Sequence, residues 1–128
     1  QFAAGLGGVD ARITAAEFGP GAGLAVLAEV LPEALRSRCS EMVVAGLVDA
    51  AAVLKSQAGD HNRAARLLAF ATHWRGGYER PMPDRVEAER AAASARAALG
   101  DAAYERESTA GREMTMTEAQ ENLAATSD

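Results

Sequence analysis

Aromatic residues make up only 5% of the 128-residue chain, and apolar β-branched runs are nearly absent. Without such runs there is little to build strands from. Cysteine occurs once, at Cys39, so an internal disulfide is excluded and a reducing, cytoplasmic setting is expected. No apolar run approaches the roughly 18 residues that a membrane span requires, so no membrane association is expected. There is no secretory pattern and no initiator methionine at Gln1, which suggests a piece of something longer. Histidine occurs only at His61 and His73, twelve positions apart on one predicted helix and too far apart to share a metal.

What remains is an alanine-rich sequence with ordinary hydrophobic content, 48%. Alanine favours helices and lets them pack closely, so the fold class reads as all-α. The length is that of one domain, able to bury about two-thirds of its surface without a staple. The net charge is −5. From His61 to Gly100 seven arginines face four acids; from Asp101 to Asp128 seven acids face two arginines. An acidic total with this alternation argues against direct nucleic-acid binding.

The pattern centres on Gly59-Asp60. Gly accepts the left-handed backbone found just past a helix end, and Asp is a preferred N-cap. The two residues separate an amphipathic stretch, Ser40 to Gln57, from another, His61 to Arg75, and read as the corner of a helical hairpin. In the first arm Val43, Leu47, Ala50, Ala51 and Leu54 form a stripe that Val44 and Val48 widen. Asp49, Ser56, Ala45 and Ala52 fall on its thin polar side. A helix apolar on most sides is expected to be covered on most sides. In the second arm Ala64, Leu67, Leu68, Ala71 and Trp74 form the core stripe, with Arg63, Arg66 and His73 on the other side and Phe70 among them, either packed on a neighbouring helix or marking an interaction surface.

Before the hairpin, residues 1–23 read as irregular or weakly helical, with a short helix between Asp10 and Phe18 and a break at Gly19-Pro20-Gly21. Gly5-Leu6-Gly7-Gly8 reads as a connector, since no Lys-Ser or Lys-Thr follows it. A helical-repeat domain spans 24–125. Leu24, Leu27, Ala28, Leu31 and Leu35 share one helix face, with Pro32 imposing a kink or opening a second short helix. After the hairpin, Asp84 and Glu87 have capping-box spacing, Ala88, Ala92, Ala95 and Leu99 make a seam, and Asp101 is placed to cap a further helix. Thr117 and Gln120 suggest another box, with Ala119 and Leu123 inward. Residues 126–128 are expected to fray.

No nucleophile, base and orienting group fall together, so the chain reads as not an enzyme, with no cofactor and no metal. Cys39 reads as a structural thiol. Phe70, Trp74 and Tyr78 are the candidate interaction or ligand surface, because aromatics supply contact area.

Residues Ala45 to Trp74 resemble a tetratricopeptide helix–turn–helix unit. Gly59-Asp60 is its corner, and Ala64, Leu68 and Ala71 occupy the small, large and small positions of its second helix. The first helix departs from that pattern: Ala51 and Ala52 replace Leu-Gly, and Lys55 stands at an aromatic position. A longer series runs through Gly59-Asp60-His61-Asn62-Arg63-Ala64-Ala65-Arg66-Leu67-Leu68, Pro81-Met82-Pro83-Asp84-Arg85 and Ala95 to Tyr104, then Gly111-Arg112 and Met116-Thr117-Glu118-Ala119. In that order and spacing it resembles the C-terminal helical region of large bacterial ATP-binding transcriptional regulators, of the LuxR and antibiotic-regulator types.

The resemblance implies antiparallel hairpins stacked as a short tetratricopeptide-like array, serving interaction or regulation. It implies a nucleotide-binding module upstream, and in many members a DNA-binding domain at one end. The implied partners are the parent's other domains or a separate protein. It transfers no ligand residue. A small-molecule sensor, with an inducer held between helices, is the alternative. An apolar edge at Leu24, Leu27 and Leu31 is expected to support a homodimer, the alternative being that residues Gln1 to Phe18 fold back as a cap and leave a monomer.

Overall fold

The computed structural model describes residues 11–36, 41–76 and 78–125. These form seven helices and, among the described residues, no strand. The helices are α1 (11–18), α2 (Pro20–Arg36), α3 (Glu41–Gln57), α4 (His61–Arg75), α5 (Asp84–Leu99), α6 (Asp101–Glu113) and α7 (Met116–Ala124). The expectations for Gly5 to Gly8, for caps at Asp10 and Ser40, for Cys39 and for the tail at 126–128 lie outside the described residues.

The α3–α4 corner forms as its sequence dictates. Gly59 has φ +85°, its N–H donates to the Ser56 carbonyl, and the Asp60 N–H donates to the Lys55 carbonyl at 2.8 Å. This pair of bonds is a Schellman motif, satisfying carbonyls that the helix end leaves open. The Asp60 carboxylate then accepts from the Arg63 N–H at 3.3 Å and caps α4. Helix α3 is surrounded by α2, α4, α5 and α7, as expected of a helix apolar on most sides. Its supposed polar side is also covered: Ala45, Ala52 and Asp49 are all buried.

Between residues 11 and 36 the chain is helical except at Gly19, at φ +98°; α2 starts at Pro20, where a missing N–H costs nothing. The helix runs unbroken through Pro32 to Arg36, so no second helix begins there. Ala11 is fully buried, and a Cβ on Gly23 would lie 2.7 Å from its carbonyl oxygen and 2.8 Å from Ala15 Cβ. Arg12 reaches Asp84 at 3.0 Å and Glu87 at 3.3 Å, fastening α1 to α5. Leu24, Leu27 and Leu31 are therefore not an open edge. They are 9%, 0% and 1% exposed, in the core that α2 shares with α3 and α7. The apolar edge expected there is covered within the chain.

Three helix starts differ from expectation for one reason each. Asp84 does not cap α5, because its carboxylate and that of Glu87 turn to Arg12; Pro83 holds the cap position without a side-chain bond. Asp101 does not cap α6, because it pairs with Arg96 at 3.3 Å and Gly100, at φ +85°, holds the cap position. The α7 capping box is two residues earlier, between Thr115 and Glu118, with reciprocal bonds of 3.1 and 2.9 Å. That register leaves Met116, Ala119 and Leu123 on one inward face.

Helix α4 packs against α3, α5 and α6, and α7 returns to touch α2, α3 and α4. The contact with α6 is made between backbones. A Cβ on Gly111 would lie 2.2 Å from the Arg66 carbonyl oxygen. Around this approach Arg66 binds Glu107 at 2.7 Å and Asn122 at 3.1 Å, so its face of α4 is occupied by α6 and α7. The seam of α5 is Ala88, Ala91 and Ala95, whose small side chains hold α5 close to its neighbours. No helix among the described residues is long and apolar enough to cross a membrane.

Candidate functional site

A groove of about 540 Å³ opens between α4, the stretch from Tyr78 to Arg80, α5 and α6. Its floor is apolar where Leu68, Ala69, Ala88 and Ala92 line it. Its rim is polar and aromatic: Tyr78, Glu79 and Arg85 on one side, Tyr104, Glu105 and Arg112 on the other.

The wall beneath is a buried ion network. Asp49 of α3 accepts from Arg75 Nη2 through Oδ2 and from Arg80 Nε through Oδ1, the latter at 3.0 Å. Burial pushes the Asp49 carboxyl above its usual range, while the Arg80 and Arg75 charges pull it down. Arg80 Nη2 also donates to the Leu68 carbonyl at 3.0 Å and to Thr72 Oγ1 at 2.8 Å. A residue outside any helix is thereby fastened to α3 and α4. Its carbonyl accepts from Arg85 Nε at 3.1 Å, and Arg85 pairs with Glu79 at 2.9 Å. These links fix the chain around Tyr78, whose ring is left 73% exposed.

On the opposite rim the Arg96 guanidinium stacks over the Tyr104 ring at 4.5 Å and pairs with Glu105 at 3.5 Å. Arg112 donates to Thr109 and forms no ion pair among the described residues.

The three aromatic residues singled out from the sequence are not brought together. Phe70 is 2% exposed and stacks on Trp74, with ring centroids 5.6 Å apart; its side of α4 is core. Trp74 is half-buried, and its Nε1 has no hydrogen-bond partner. Neither lines the groove; only Tyr78 does, joined by Tyr104 from α6. Sequence reasoning missed the Asp49–Arg75–Arg80 network. The available signal was an acid set between Val48 and Ala50 on a helix with almost no polar side. His73 is exposed and His61 half-buried, and no group of three His, Cys, Asp or Glu residues among the described residues is placed to hold a metal.

Comparison with known proteins finds no matching family model, no matching curated protein and no matching solved structure.

Proposed function

We propose that the chain is a non-catalytic helical-repeat module for interaction and regulation, part of a multidomain bacterial transcriptional regulator that works in the cytoplasm. In this reading α3–α4 is one tetratricopeptide-like hairpin, α5–α6 a second, and α7 a cap. The order of packing, α3 on α5 and α4 on α5 and α6, supports it. Partners are the parent's other domains or a separate protein, and the module itself does not bind DNA.

The observation that carries the reading is the open groove between α4, α5 and α6. A buried ion network makes its wall rigid, and its exposed aromatic and charged side chains are committed to no core contact. Rigid walls lower the ordering cost of binding, and exposed aromatics with Arg are the groups that interfaces favour. The alternative, a small-molecule sensor, is favoured by the volume, which falls in the range of ligand pockets.

A photo-cross-linking amino acid placed at Tyr78, compared with one at the equally exposed Phe18 on α1, tests the proposal in cells. The expected result is a defined protein adduct from position 78 alone. Equal adducts from both positions, or none from 78, would contradict it.

A further inference from the structure

A second cavity, of about 300 Å³, shares no lining residue with the groove. It lies between the start of α2, the α3–α4 corner and the end of α7. Leu24, Ala25 and Ala28 form one wall; Leu123 and Ala124 form the other. Its polar end is Lys55, the one lysine in a chain with twelve arginines.

The Lys55 side chain is 4% exposed. Its ammonium donates to the Ala125 carbonyl at the end of α7. The nearest carboxylate oxygen among the described residues, Asp60 Oδ2, is 3.9 Å away, beyond hydrogen-bonding distance. That oxygen is held by Arg63 Nη1 at 2.8 Å, and the other caps α4. One carboxylate thus serves two cations, and Arg63 is the nearer. Among the described residues, neither the α2 wall nor the α7 wall contributes a charged side chain. Burial accordingly lowers the Lys55 pKa; Asp60 opposes this and Arg63 adds to it.

A buried ammonium whose strong partner is a neutral carbonyl, at the end of an apolar slot, is complementary to a molecule with one anionic end and an apolar body. We propose that this cavity binds a small aliphatic monocarboxylate, of the short-chain fatty acid class, with its carboxylate on Lys55 Nζ and its chain along Leu24, Ala28 and Leu123. The carboxylate supplies a charge-assisted hydrogen bond where Asp60 supplies none. The alkyl chain removes apolar wall from water. The ligand is short because the cavity sits at the small end of the range for ligand pockets. Binding holds Lys55 charged, so it is accompanied by proton uptake where the free amine is partly neutral.

A single lysine gives a single side-chain NMR signal, which makes the full chain its own assay. Hexanoate and its neutral counterpart hexanamide are the probes. Hexanoate is expected to move the Lys55 signal saturably and to raise its titration midpoint, and hexanamide to leave both unchanged. Ala28→Leu, which fills the slot and keeps the ammonium, is expected to weaken hexanoate about tenfold or more while the melt remains cooperative. Lys55→Met, which removes that signal, is read by melting temperature: hexanoate is expected to raise that of the wild type and to leave that of Lys55→Met unchanged. A Lys55 signal unmoved by millimolar hexanoate, an equal response to hexanamide, or undiminished affinity in Ala28→Leu would overturn the proposal.

Discussion

Glycine-to-alanine substitution should act in opposite directions at two helical positions. At Gly111 of α6 the added Cβ meets the Arg66 carbonyl oxygen at 2.2 Å and the Arg66 carbonyl carbon and Cα at 2.8 Å. Ordinary C···O contact begins at about 3.3 Å, so α6 must withdraw from α4 by about 1 Å. The obstacle is backbone and cannot rotate aside. Overpacking of this kind costs about 1–3 kcal/mol, and the better helix propensity of alanine returns at most about 1. The expected net loss is about 2 kcal/mol, because the contact is severe and the Arg66–Glu107 pair is strained with it. At Gly46 of α3 no described residue lies within 4 Å of the added carbon, the helix's own backbone apart. There only propensity acts, and Gly46→Ala should stabilise by about 0.5–1 kcal/mol. Urea unfolding followed by circular dichroism reads both. With a slope of about 1–3 kcal/mol per molar, Gly111→Ala lowers the midpoint by about 1 M and Gly46→Ala raises it by a fraction of that. A Gly111→Ala midpoint at or above wild type would refute the backbone contact between α4 and α6.

Three further predictions follow from single features. Asp49→Ala leaves the buried Arg75 and Arg80 guanidiniums without their carboxylate and should cost about 3–5 kcal/mol; a thermal melt within a few degrees of wild type would show that the network is not formed. A Cβ added at Gly59 meets no described atom within 4 Å, so Gly59→Ala costs what left-handed backbone alone costs, about 1–2 kcal/mol, and an unchanged urea midpoint would mean that α3 does not end there. Burial lowers the Lys55 pKa in the folded chain below the usual 10.5, so the unfolded chain binds more protons between the two values and stability rises with pH through that interval. Lys55→Met removes this term, and the wild type should gain on it in melting temperature as pH climbs toward 10.5; a constant difference would contradict the assignment.

The hairpin was legible because its signals are local. Gly59 and Asp60 need only their neighbours to make a Schellman end and a cap, and the α3 stripe needs only its own periodicity. The caps at Asp84 and Asp101 were misread because each carboxylate had a better partner elsewhere: Arg12, 72 residues away on α1, and Arg96 across the α5–α6 turn. Asp49 looked like a solvent-facing position because helical spacing shows which residues share a face, not what arrives to cover it. Phe70, a candidate surface residue from the sequence, is core for the same reason: α4 has four neighbours, and two stripes of it are buried. Of the groove, Tyr78 alone was chosen from the sequence, since the approach of α6 that brings Tyr104 and Arg112 depends on Gly111. A glycine there reads locally as nothing more than a weak helix former.

The proposed role of the groove is tested most directly by transcript profiling of the host carrying Tyr78→Ala together with Arg112→Glu in the full-length protein. Both side chains are exposed, and neither enters an ion pair among the described residues. Abundance and melting temperature should therefore match wild type. A defined set of transcripts is expected to change in level, as in a strain lacking the protein. A profile identical to wild type, with the doubly substituted protein folded and present at normal abundance, would contradict it.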